Sequence, residues 1–119
     1  MNMVDLRGRI ANDLEVRTTN SGKKVCNVSL AVTRNYENAN GERDTDFFNM
    51  SFWEEQADRV VKNYAKGDMV NVSGSLRMEK RDIDGKKVNM MTIIPREVRL
   101  FSRSKNNQEK IQNERNQER

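Results

Sequence analysis

The sequence predicts an all-β domain with one helix: a five-stranded Greek-key barrel carrying two β-hairpin wings. Three observations carry this expectation. Several short segments alternate apolar and polar residues at period two, and the segment after Trp53 instead spaces its apolar residues as a helix does. Turn signals separate these pieces, with Asn40-Gly41 and Asp84-Gly85 the sharpest.

The first strand runs from Met3 to Ile10, with Met3, Asp5, Arg7 and Arg9 alternating against Val4, Leu6, Gly8 and Ile10. Leu14 to Thr18 is a second extended piece, ended by the turn Thr19-Asn20-Ser21-Gly22. Val25 to Tyr36 places Val28, Leu30 and Val32 on one face and Asn27, Ser29, Ala31 and Thr33 on the other. Asn38 to Glu42 forms the first wing. In the strand Thr45 to Trp53, Phe48, Met50 and Phe52 make an apolar face suited to a core. The opposite face carries Phe47, Asn49, Ser51 and Trp53, with a large ring at each end of a polar row.

From Glu54 the apolar residues Ala57, Val60, Val61 and Tyr64 follow helical spacing. Glu54 and Glu55 suit the first turn and Lys62 and Lys66 the last, and Gly67 supplies a stop. Met69 to Arg81 returns to alternation, pointing Val70, Val72, Gly74, Leu76 and Met78 inward and Asn71, Ser73, Ser75, Arg77, Glu79 and Arg81 outward. Asp84-Gly85 turns the second wing. Val88 to Ile94 returns, Pro95 interrupts, and Glu97 to Phe101 closes the domain, which spans residues 1–101. Met50, Met69, Met78, Met90 and Met91 are most simply core filler. Ser102 to Arg119 has Ile111 as its one sizeable apolar residue and is expected to be a disordered polar tail. Barrels with this element order, a helix lying between the third and fourth strands, are OB-folds, which commonly bind oligonucleotides on an open face.

Composition narrows the function classes. The chain of 119 residues has no histidine, so the usual general base and the usual zinc ligands are missing. Cys26 stands alone between strand-like neighbours, and the glycines are scattered singly rather than forming a phosphate loop. A non-enzyme without cofactor or metal is expected. No apolar run approaches a membrane span and no signal-peptide core is visible, which fits a reducing cytoplasm and no membrane partner. The net charge of +4, from 22 bases and 18 acids, is compatible with nucleic acid without requiring it.

Binding of single strands without regard to sequence needs rings for bases to stack on and cations along the backbone. Phe47 and Trp53 supply rings on the solvent-facing row, beside Asn49. Arg77 and Arg81 lie on the outer row of the next strand, with Lys80 beside them. Arg43 follows the first wing, and Lys86 and Lys87 decorate the second. Tyr36 shares parity with Val28, Leu30 and Val32, which points it inward; a twist or bulge at the strand end would turn it toward ligand. The aromatic row also suits a subunit interface or a second packed layer, and the arginines a merely solvated face.

These residues resemble the bacterial single-stranded DNA-binding protein family. The likeness begins at Asn2-Met3-Val4-Asp5-Leu6-Arg7-Gly8-Arg9-Ile10 and continues through Asp13-Leu14-Glu15-Val16-Arg17 and Asn27-Val28-Ser29-Leu30-Ala31-Val32. Asn40-Gly41-Glu42, Trp53, Lys66-Gly67 and Val72-Ser73-Gly74-Ser75-Leu76-Arg77 follow in order, so it covers roughly Met1 to Phe101. It implies an OB barrel, usually a homotetramer, that wraps single-stranded DNA with aromatics at four places. Three of those align with Tyr36, Phe47 and Trp53; the fourth falls on Arg81, and Glu79 stands where an arginine is common. Asp5 and Arg7 replace apolar residues that the family uses between subunits, making a dimer the alternative to the tetramer. The chain ends Asn116-Gln117-Glu118-Arg119 rather than in an acidic tip, so recruitment of repair proteins through such a tip is not expected. A bacterial cytoplasm or nucleoid, with a phage or mobile element as the source, is the implied setting. The expected function is nonspecific coating of single strands in replication, recombination or repair. The alternatives are an OB-fold adaptor using the aromatic face for protein contact, and RNA binding.

Overall fold

Most of the periodic segments become elements, the last two merging into one strand. A computed structural model describes residues 1–104. It contains β1 (Val4–Ile10), β2 (Arg17–Thr18), β3 (Lys24–Thr33), β4 (Thr45–Trp53), α1 (Glu55–Asn63), β5 (Met69–Ile83) and β6 (Lys86–Ser102). The strands form one sheet in the order β1-β5-β6-β4-β3-β2, and a further β1–β3 pairing completes a ring of β1, β5, β6, β4 and β3. This is the OB-type barrel. Its seams are uneven: β3 and β4 pair from Val25↔Trp53 to Thr33↔Thr45, whereas β4 meets β6 in parallel at Met50↔Ile93.

The inward parities supply the core. Ile10, Cys26, Val28, Leu30, Met50, Phe52, Val70, Val72 and Ile93 are buried together, and Ala57 and Val60 of α1 pack onto them. Burial pushes the Cys26 thiol pKa upward, away from the thiolate. Two glycines are demanded by close approach. A Cβ on Gly8 would stand 2.5 Å from the Ala31 carbonyl oxygen where β1 meets β3, and one on Gly74 would strike the Ile94 carbonyl oxygen. Asp68 is wholly buried. Its Oδ2 accepts from the Ala65 N–H at 3.0 Å and its Oδ1 from the Ser104 N–H at 2.8 Å, joining the turn after α1 to the end of β6.

Several expectations are corrected. The second extended piece contributes only Arg17–Thr18 to the sheet. β3 stops at Thr33, short of Tyr36, because the chain bends beyond Arg34, whose N–H donates to the Asp44 carbonyl. α1 ends at Asn63, with Tyr64 extended as its cap; Gly67, at φ 93°, shapes the following turn. Glu54 lies before the helix at φ 54° and takes the Lys24 N–H on its carboxylate at 2.9 Å. Pro95 does not interrupt β6. It sits opposite Gly74 at a register shift, where a bulge absorbs its missing N–H. Met78, Met90 and Met91 are 64%, 40% and 66% exposed rather than core, whereas Met50 is buried. Residues 105–119, most of the expected tail, lie outside the described residues. Among the described residues no helix is long and apolar enough to cross a membrane.

Candidate nucleic-acid interface

The outer face of β4 is half of the site. Strand alternation buries Met50 and Phe52 and leaves Phe47 and Trp53 exposed to 62% and 47%. The two rings stand six positions apart along the strand, about 20 Å. Trp53 lies directly opposite Val25, which is buried, so part of the indole serves packing. Phe47 lies opposite Ala31, whose small side chain leaves the ring open.

Between the rings the floor is polar, formed by Asn49 opposite Ser29 and Ser51 opposite Asn27. The Ser51 hydroxyl donates to Asn27 Oδ1 at 2.8 Å. Asn12 braces the backbone beneath: its Nδ2 donates to the Asn27 carbonyl at 2.9 Å, and its Oδ1 accepts from the Ser29 N–H at 2.8 Å. The carboxamide thus replaces a rung of strand pairing on the edge of β3. Asn27 and Ser29 belong to the outer row that alternation identifies. What the sequence conceals is their register against β4.

The second wall is the hairpin of β5 and β6. Arg77, Glu79 and Arg81 share one of its faces, opposite Thr92, Met90 and Val88. Glu79 lies 3.6 Å from Arg81 and partly neutralises it. Asp84 and Gly85 turn the hairpin, both at positive φ, as a two-residue turn of this handedness requires. At the base of the wing the Asn2 carboxamide pairs with Leu76 on both backbone groups, donating to its carbonyl at 2.6 Å and accepting from its N–H at 2.8 Å. That clamp fixes β5 just before Arg77.

A groove of about 1200 Å³ runs between these walls, and Phe47, Asn49, Trp53, Arg77 and Arg81 all line it. Asn12, Asn27, Ser29, Ser51, Met90 and Met91 line it too. Alternation puts Ser51 on the aromatic row and Asn27 and Ser29 on the outer row of β3, whereas it gives Asn12 and the two methionines no such place. Tyr36, Arg43, Lys80, Lys86 and Lys87 are exposed but stand outside its lining. Lys80 follows the parity of Met78, so it projects from the face of the wing opposite to Arg77 and Arg81. Tyr36 is 61% exposed beyond the end of β3, so the inward parity never applies to it.

The loop carrying Tyr36 is tied at its base. Arg34 Nε and Nη2 each donate to Asp46 at 2.9 Å, and Arg34 Nη1 lies 3.5 Å from Asp44. The paired guanidinium holds the Asp46 carboxyl below its ordinary pKa, and the same pairing raises that of Arg34. Tyr36 and Phe47 thus follow residues joined by one bidentate ion pair. The arrangement offers rings, amides and guanidinium groups along one open channel. These are the groups that stack bases and neutralise phosphates.

Comparison with known proteins agrees with this geometry. Residues 1–101 match the model of the family described as "Single-strand binding protein family". The chain is similar to Single-stranded DNA-binding protein 2 of Listeria monocytogenes, at 36% identity over 110 residues covering 92% of this chain and 69% of that protein. It is 41% identical over 86 residues to Single-stranded DNA-binding protein 1 of a Staphylococcus aureus strain, covering 72% of this chain and 54% of that one. Single-stranded DNA-binding protein 3 of Streptococcus agalactiae is 33% identical over 112 residues, covering 92% and 79% of the two chains. With a family match spanning the whole barrel, the chain belongs to the single-strand binding protein family.

Proposed function

We propose that this protein binds single-stranded DNA with little regard to sequence, through residues 1–101, coating strands exposed in replication, recombination or repair. The observation that carries the reading is the open groove in which Phe47 and Trp53 stand exposed on one row, facing a wall with Arg77 and Arg81. Every base has a π-face, so stacking tolerates any sequence, and the guanidinium groups neutralise phosphate. The helix α1 gives no support to major-groove reading of a duplex: it has nine residues and carries Glu55 and Asp58 in its first turn. Binding is non-catalytic and needs no cofactor.

Around this groove Tyr36, Arg43, Lys80, Lys86 and Lys87 extend the contact from the wings. The protein works as a homo-oligomer in the bacterial cytoplasm. Self-association is supported by β1, which pairs with β5 from Val4 to Arg9 but with β3 only at Arg9 and Ile10. The edge of its first half therefore presents unpaired backbone groups to a second chain. The test is competition between a labelled homopyrimidine strand and a duplex of equal length. Strong preference for the single strand is expected; equal affinity for the duplex contradicts the reading.

A further inference from the structure

Three methionines stand in water on the β5–β6 hairpin, and the apolar alternation alone does not explain them. Met78 and Met91 are directly opposite each other, and Met90 lies opposite Glu79. β6 pairs with β4 at Met50↔Ile93, and Met90, Met91 and Thr92, just before that pair, line the groove. Both faces of a strand border a channel that runs along its edge. That is why Met90 and Met91 line the groove together although their side chains point to opposite faces. Met78, on the far strand of the hairpin, does not line it.

We propose that Met90 and Met91 form an apolar contact wall for the bases of bound single-stranded DNA, facing the aromatic row across the groove. The inference rests on the single-strand binding proposed above and adds to it which residues hold the bases on the hairpin side. Methionine is unbranched and polarisable, so its thioether adapts to flat surfaces of differing outline and gains from sulfur–aromatic contact. A binder indifferent to sequence needs such a surface. Arg81, diagonal to Met90 on the same face, supplies a charge for the phosphate of the nucleotide seated there. The occupant is therefore apolar and flat where it meets the thioethers, and anionic where it meets Arg77 and Arg81. A single strand of nucleic acid has both characters.

The test compares Met90→Ser/Met91→Ser, Met90→Leu/Met91→Leu, Met78→Ser and the unaltered protein by anisotropy of a labelled homothymidine strand. The double serine variant is expected to bind about four- to tenfold more weakly, at roughly two- to threefold per thioether. The double leucine variant should recover most of that loss, because it restores apolar area. Met78→Ser should change affinity less than twofold although its exposure is comparable. The double serine variant should melt slightly lower than the others, because the fold covers part of Met90, which is 40% exposed. Affinities are therefore compared where all four are fully folded. Unchanged affinity in the double serine variant, or an equal loss in Met78→Ser, overturns the wall while leaving strand binding intact. A change of oligomeric state in the serine variants, seen by light scattering, also overturns it by making the methionines a subunit contact. If the unaltered protein binds no single strand, the functional reading falls and the wall falls with it.

Discussion

Replacing Phe47 by alanine separates a ring held for ligand from a ring held for packing. Phe47 is 62% exposed, so about 38% of its surface is covered by the fold. A wholly buried aromatic removes about 200 Å² from water, so the covered part is near 75 Å². At about 25 cal/mol per Å² this gives an upper limit of about 2 kcal/mol, and the alanine Cβ retains part of it. Phe47→Ala should therefore cost about 1 kcal/mol of stability. Phe52, 2% exposed on the other parity of the same strand, should cost about 3–5 kcal/mol when truncated. The order reverses for DNA: Phe47→Ala should lose roughly 1–3 kcal/mol of affinity, or about 5- to 150-fold in Kd. Urea denaturation and anisotropy of a labelled homopyrimidine strand measure the two quantities on the same preparations. A Phe47→Ala protein that loses 3 kcal/mol or more of stability and binds DNA normally would refute the assignment of faces.

Three further outcomes follow from particular contacts. Gly74→Ala should destabilise the protein by roughly 1–3 kcal/mol in chemical denaturation, because its Cβ meets backbone of β6 that cannot swing aside; unchanged stability would mean the bulge is slack. Glu79→Gln should strengthen single-strand binding a few-fold and more so at low salt, by releasing Arg81 and removing a like charge from the phosphates; a weaker complex would place Glu79 in a supporting role. The Asp46 pKa is depressed, so the stability that the Arg34 pair contributes is fully present above the ordinary aspartate pKa, near 3.9, and is lost as pH falls through the lower folded value. Melting temperature should therefore drop less steeply below pH 4 in Asp46→Asn than in the unaltered protein, and parallel profiles would argue that the pair contributes nothing.

The aromatic row was legible because β4 is half-buried, and a half-buried strand writes its two faces into the sequence as alternation. Phe52 and Trp53 are neighbours of opposite exposure, 2% against 47%, and parity alone separates them. The same rule misled on the wing. Met78 continues the inward parity of Val70, Val72, Gly74 and Leu76, but the strand there has run past the barrel and no core lies beneath it. Parity gives a face, and burial depends on what covers that face. At Tyr36 alternation leaves two directions open, and it does not apply there because β3 ends at Thr33 and Arg34 turns aside to grip Asp46. Pro95 reads as a break in any sequence, and only the register against Gly74 shows that a bulge accommodates it. The polar floor of Asn27 and Ser51 required cross-strand register, which local pattern does not contain.

The central claim is that bases stack in the groove bordered by Trp53, and Trp53 is the only tryptophan in the chain. Its intrinsic fluorescence during titration with a homothymidine strand reports on that groove directly. Saturable quenching is predicted, with log affinity falling against log salt by about 0.7 for each phosphate neutralised, and little change with duplex of the same length. Tight binding that leaves the Trp53 emission unaltered, or equal quenching by duplex, would contradict the account.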